Sequence, residues 1–305
     1  MQKALKVLIL SLISFTALVF VIFSIFSSSL PEVLGLLPAN VKTSGGSLQR
    51  YSDLYESYEI YDTVKSINIS SSEFTINVYS TEEEFIFITI SQTDRSSEMP
   101  EYTVNCTDGT LSLELPEKSY GGVVELYLPA SVKFSSLNIQ NIYSPVNLYS
   151  VSVSDITIKS IFGDVYASGT RNVRSFNVTT LKGQIIISDC TITSLECESD
   201  SGEIIIESGT ENLKAKSSTG KIQFVSDLFF KKADLRTESG DIELIFLPDS
   251  SFEISYFNKY GSIIYKDFFL TAEGNILYCS SENSVPVPVS IETDYGNVYI
   301  YSSIR

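Results

Sequence analysis

The chain has 305 residues, 43% of them hydrophobic, which is enough for one large β domain or two ordinary ones. Asp and Glu outnumber Lys and Arg by 37 to 21, and the formal charge of -16 excludes nucleic acid and anionic lipid headgroups as partners of the folded part. Histidine and tryptophan are absent, while 18 Tyr and 18 Phe accompany many Ile, Val, Ser and Thr, a composition suited to strands.

Lys3 and Lys6 precede an uncharged run, Val7 to Phe26. As a helix this run spans about 30 Å, the thickness of a bilayer core. The flanking lysines orient it with everything after Pro31 outside the cytoplasm. A cleaved signal peptide is the alternative, although its apolar region is usually shorter and only Ser27 to Ser29 offer a small-residue site. Both readings export the chain. Residues 1–30 are therefore read as a membrane anchor or signal peptide. Residues 31–57, rich in Pro and Gly and without periodicity, are read as a linker.

Residues 58–132 are expected to hold capping strands and the first rungs. Within them, Val64 to Ser91 alternates apolar and polar residues and reads as antiparallel or irregular strands over the first rung.

Residues 133–305 carry regular repeats. Gly163, Gly183, Gly202, Gly220, Gly240 and Gly261 follow one another at 20, 19, 18, 20 and 21 residues, and Gly296 and Gly109 fit the same frame. Such a period marks a solenoid, whose repeats bury their apolar faces only by stacking. Positions seven and five before, and two and four after, each of the seven glycines from Gly163 to Gly296 are apolar in all 28 cases, where composition gives about 12. Period two on both sides of the glycine means two short strands joined by a corner. Ile185, Ile204, Ile222 and Ile242 should stack in one column, and the glycine is expected to supply positive φ. Three residues before it stand Cys106, Ser160, Thr180, Ser199, Ser217, Thr237, Asn258 and Thr293, read as a ladder that satisfies backbone groups at the bend. Outward charges alternate in Glu196, Lys214 and Asp234 and in Glu203, Lys221 and Asp241, as parallel register requires. The segment Ser280 to Ser290, with two prolines, reads as a loop.

The expected fold is thus all-β: a right-handed parallel β-solenoid of about 20 residues per rung, capped by N-terminal strands and preceded by one hydrophobic helix. Four cysteines permit three pairings, but the frame favours unpaired thiols, with Cys197 buried and reduced. The glycosylation triplets at Asn68, Asn105 and Asn177 are chance matches in so Ser/Thr-rich a chain.

The segment VELYLPAS, Val124 to Ser131, followed by SGEIII, TGKIQF and SGDIELIFLP, resembles the putative-adhesin family of unknown function, bacterial envelope proteins with an N-terminal membrane segment. The resemblance implies the same order of membrane segment, linker, capping strands and glycine-cornered repeats, from about residue 60 onward. It assigns no catalytic residue. No cofactor or metal is expected, because the chain has no C-x-x-C, H-E-x-x-H, G-x-S-x-G or phosphate-loop motif.

The expected function is a non-enzymatic, extracytoplasmic, adhesin-like binding or scaffolding protein of the envelope, anchored by its single N-terminal helix or secreted after cleavage. Its partners would be an envelope protein or a glycan, and the membrane through that helix. An envelope-stress sensor or regulatory accessory is the alternative; a β-helix polysaccharide lyase or hydrolase is a third reading, which the scattered carboxylates oppose. The candidate contact surface lies three residues after the glycines, where Tyr166, Ile186 and Ile205 place an apolar stripe among mostly charged outward columns.

Overall fold

The computed structural model of the chain describes residues 39–43, 46–50, 56–61, 63–92, 102–115, 121–226, 230–266, 268, 270–279 and 286–303. The expected N-terminal helix and most of the linker lie outside the described residues. No helix among the described residues is long and apolar enough to cross a membrane. Ala39–Thr43 and Gly46–Arg50 form a separate antiparallel hairpin. All other strands belong to one continuous sheet wound into coils.

Each coil has two pairing strands on either side of a corner. Ile185, Ile204, Ile222 and Ile242 are partners in consecutive parallel pairings, as the frame requires. On the other side Phe176, Leu195, Leu213 and Ala233 stack likewise. Of the 28 inward positions, 25 are buried; the three exceptions, Tyr256, Ile263 and Tyr265, all belong to the coil of Gly261. A fully buried aliphatic or aromatic side chain contributes about 1.5–3 kcal/mol, so this double column of Ile, Leu, Val and Phe holds the stack together.

The corner glycines are needed for a different reason from the one the sequence suggests. None of them has positive φ; among the described glycines that property belongs to Gly109, Gly121, Gly169 and Gly274. Instead, a Cβ on Gly183, Gly202, Gly220 or Gly240 would stand 1.9–2.1 Å from the carbonyl oxygen of the glycine one coil away. Successive corners approach so closely that only a residue without a side chain fits. Gly109 is no corner: it turns the hairpin between Thr103–Thr107 and Thr110–Glu114, which places Cys106 on an antiparallel capping strand and outside the ladder.

The remaining ladder residues do close the corner. Ser199, Ser217, Thr237 and Thr293 accept the N–H of Gly202, Gly220, Gly240 and Gly296 at 2.8–3.0 Å. Asn258 accepts from Gly261 at 2.7 Å through its amide oxygen. Ser160 and Thr180 instead donate to the carbonyls of Gly163 and Gly183 at 2.8 Å. Each hydroxyl is buried at a point where the strand bends away from its sheet partners, so the bond removes an otherwise unsatisfied backbone group.

The order of coils departs from the sequence at both ends. Ser66–Ser70 and Phe74–Thr81, expected as antiparallel or irregular strands, form a regular parallel coil. It lies between the coil of Thr110–Glu114 with Gly122–Pro129 and that of Phe134–Gln140 with Val146–Tyr149. Ile86–Gln92 then pairs antiparallel on Gly122–Pro129, and Glu56–Ile60 pairs antiparallel on Ile86–Gln92. At the other end Val287–Thr293 sits between Lys232–Thr237 and Phe252–Asn258, and Val298–Ser302 between Ile242–Phe246 and Ile263–Lys266. The last coil in the chain is therefore the penultimate coil in space. The cause is local: the hairpin Thr271–Glu273 with Ile276–Cys279 pairs antiparallel on Phe252–Asn258 and fills that strand's outer edge, leaving the inner edge for the returning chain. Val287 to Ser290, expected within a loop, is strand. Pro288 is tolerated there because pairing with Lys232–Thr237 begins only at Val289.

Cys197 is fully buried among these columns and unbridged, and Cys190 is likewise buried and unbridged; burial pushes both thiols' pKa up. Cys197 should accordingly resist iodoacetamide in the native state and react fully in denaturant, as mass spectrometry of the trapped thiols would report. Rapid native labelling at Cys197 would mean that the coil opens.

Candidate interaction surface

Tyr166, Ile186 and Ile205 are register partners on three adjacent coils, pointing away from the core and half-buried. The structure therefore brings the three together. In the same column the chain continues with Gln223, Glu243, Tyr299 and finally Ile264, the last two exchanged relative to sequence order.

The apolar surface reaches farther than this stripe. Tyr166 contacts the ring of Tyr149 at 5.7 Å between centroids. Tyr149 stacks on Tyr79 at 5.2 Å, Tyr79 on Tyr127 at 5.1 Å, and Tyr127 meets Phe87 at 5.9 Å. Five rings thus run up the outer face of the coils into the antiparallel cap. The stacked pairs turn their faces toward one another, so the row presents ring edges and hydroxyls outward rather than open π faces. Beside it Asn147 donates to Asn77 at 2.8 Å and Thr89 to Glu125 at 3.1 Å. Burial, then the Glu125 carboxylate, pushes the phenols of Tyr79 and Tyr127 up; hydrogen bonds from Ser168 and Ser188 pull that of Tyr166 down.

The tyrosine row escaped sequence reasoning because the coils of Tyr79 and Tyr149 have Phe74 and Ser144 at their corners, which a search for glycines passes over, and Gly122, at the corner of the Tyr127 coil, is separated from Gly163 by both of them. The available signal was Tyr79, Tyr127 and Tyr149, each three residues beyond an apolar residue of an alternating run, Ile76, Val124 and Val146. A second apolar group was also missed. Tyr143 and Phe162 stack at 5.4 Å on the corner edge, with Lys182 over Phe162 at 5.6 Å and exposed Ile161 and Leu181 beside them.

Elsewhere the outer faces are charged. Lys216 pairs with Glu198 at 2.9 Å, Lys231 with Glu211 at 2.7 Å, and Arg236 with Glu292 at 3.1 Å. Lys214 pairs with Glu196 as the alternating column implies, whereas Lys221 takes Glu243 and Asp234 takes Arg236. These exposed pairs contribute little stability each. Among the described residues no three Cys, Asp or Glu side chains converge as a metal site. What the surface offers is contact: an apolar, hydroxyl-edged row framed by charge.

A profile of the Toastrack DUF4097 family matches residues 64–301. Among solved structures, a putative lipid binding protein from Parabacteroides distasonis ATCC 8503 is similar at 16% identity, covering 82% of this chain and 97% of its own, with a TM-score of 0.45. A putative adhesin from Bacteroides fragilis NCTC 9343 is 13% identical, covering 83% and 98%, with a TM-score of 0.40. A putative adhesin from Parabacteroides merdae ATCC 43184 is 14% identical, covering 87% and 100%, with a TM-score of 0.33. No curated protein matches the chain.

Proposed function

The chain belongs to the Toastrack DUF4097 family, and from that premise we propose that it is a non-enzymatic, adhesin-like binding or scaffolding protein of the bacterial cell envelope. In this reading it is a right-handed solenoid of about 20 residues per rung, held outside the cytoplasm by one N-terminal helix through residues 7–26. The observation that carries the proposal is the outward row of Tyr166, Ile186 and Ile205, continuous with the stacked tyrosines. A solenoid that leaves apolar side chains half-exposed in register, on a chain of charge -16, keeps a surface for a partner protein or glycan. The corners are occupied by structural Ser, Thr and Asn side chains, whose hydroxyls and amides are already engaged by backbone, which leaves no nucleophile there for a lyase or hydrolase.

The double substitution Ile186→Lys with Ile205→Lys tests the row. Each lysine can keep its stem on the surface and its charge in water, so the fold should survive with a melting temperature within a few degrees of the parent. Cross-linking of wild-type protein in cell envelopes should capture a partner that the double variant loses. A variant that unfolds would make the row internal packing. A folded variant that captures the same partner would move the contact surface elsewhere.

A further inference from the structure

The two ends of the stack are finished differently. At the N-terminal end both sides are closed by antiparallel strands: Thr103–Thr107 on one, Ile86–Gln92 and then Glu56–Ile60 on the other. At the C-terminal end one side carries the hairpin Thr271–Glu273 with Ile276–Cys279. The other side stops at Ile263–Lys266, which pairs with Val298–Ser302 and, among the described residues, with nothing beyond. Because the hairpin adds two strands, its side projects about 10 Å past this edge, leaving a recess the width of an added strand or two.

Three features mark the recess as a binding edge. The carbonyl of Ser262 accepts the N–H of Val298, so alternation along a parallel ladder turns the N–H and C=O groups of Ile263 and Tyr265 away from their one partner strand, toward a side on which no other described strand pairs. Tyr265 and Ile263 occupy inward positions, equivalent to Ile300 and Val298, yet Tyr265 is 50% exposed: the core column ends on a side chain whose outer side nothing covers among the described residues. Exposed Phe257, Tyr260 and Ile264 belong to the same coil and Tyr295 to the coil beneath it, so five of the ten exposed large hydrophobics of the described residues gather at this end. Two of its flanking charges are cationic in an acidic chain, Lys266 on the edge strand and Lys259 against Tyr260.

We infer that Ile263–Lys266 is a strand-addition site for an extended segment of a partner protein, one that alternates apolar side chains with carboxylates. Backbone groups of the segment would pair with Ile263 and Tyr265, its apolar side chains would cover Tyr265, and its carboxylates would meet Lys259 and Lys266. A second copy of the chain fits less well. Two such ends related by a two-fold would bring both projecting hairpins into the space between them, and head-to-tail stacking makes an open filament. This site is independent of the outward row and stands whether or not that row binds anything.

A synthetic peptide copying residues 54–61 is a suitable probe, since Glu56–Ile60 already closes the opposite end antiparallel and carries Tyr58, Ile60 and two carboxylates. With the full chain, the peptide should bind saturably, and Tyr265→Pro should weaken it at least about tenfold. Proline there removes only an N–H that faces outward and leaves the ladder to Val298–Ser302 intact. Tyr265→Phe should bind as the parent does, and Lys266→Glu should bind more weakly with a shallower loss in salt, because the attraction that salt screens is gone. Should Tyr265→Pro prove unfolded, Lys266→Glu carries the test alone. Equal binding by parent, Tyr265→Pro and Lys266→Glu, or no saturable binding, would overturn the inference. So would a peptide-free oligomer that Tyr265→Pro converts to monomer, which would assign the edge to a second copy.

Discussion

Gly202→Ala is expected to destabilise the protein by about 3 kcal/mol or more, at the upper end of what a single added methyl group does in a packed interior. The new Cβ would stand 1.9 Å from the Gly183 carbonyl oxygen and 2.6 Å from its carbonyl carbon, both backbone atoms that cannot swing aside. Relief would require prising the two corners apart. That would lengthen the bond between the Gly202 N–H and Ser199 and strain the pairing of Ile185 with Ile204 beside it. Gly274→Ala is the control: its Cβ would meet nothing within 4 Å, and only its φ of +60° opposes the change, so about 1 kcal/mol is expected. Thermal denaturation of the two variants should rank them so. Native-state hydrogen exchange should place the damage of Gly202→Ala in the coils of Gly183, Gly202 and Gly220, because each coil of a solenoid depends on its neighbours. Similar losses for both variants would mean that backbone conformation, not the close approach of successive corners, sets the need for glycine.

The period, the inward columns and the Ser/Thr ladder are legible in the sequence because each follows from one coil repeating itself: a side chain in register meets its own equivalent above and below. The glycine was legible as a position but not as a mechanism. Positive φ and close approach both select glycine, and only the distance from Gly202 to the Gly183 carbonyl tells them apart. Spatial order was not legible, since Val298 and Ile263 satisfy the same frame and would stack equally well on Ile242 by pattern alone. Weak signals did exist. Tyr256 and Tyr265 put hydroxyl-bearing rings at inward positions, Asn258 replaces a Ser or Thr, and 13 residues from Gly261 to Gly274 are too few for a coil. All three mark the Gly261 coil as the one at the end. The stripe of Tyr166, Ile186 and Ile205 was legible because it shares the glycine frame; the tyrosine row beyond it was not, since the coils of Tyr149 and Tyr79 turn without one and cut the Gly122 coil of Tyr127 off from that frame.

Intercalation of the last coil leads to a result that sequence order alone would invert. A chain ending at residue 249 should be better folded than a longer chain ending at residue 285. The shorter chain loses the Gly261 coil, its hairpin and the Gly296 coil together, and ends on the intact Gly240 coil, as any shortened solenoid would. The longer chain loses only the layer between. Val289, Ile291, Val298 and Ile300 are each at most 2% exposed, and their removal forfeits roughly 6–12 kcal/mol of burial at 1.5–3 kcal/mol apiece. It also leaves Asn258 and Gly261 without the Gly296 carbonyl and Gly296 backbone on which they rest. Residues 252–279 would then have no partner strand except their own hairpin, exposing Phe252 and Ile254 beside the Gly240 coil. Limited proteolysis should cut the 285-residue chain back toward residue 249, and hydrogen exchange should show residues 252–279 unprotected. If that chain is instead as stable and protected as the full protein, Phe252–Asn258 has docked directly on Lys232–Thr237. The order of coils would then be set by which strand arrives first, rather than by the hairpin that fills the outer edge of Phe252–Asn258.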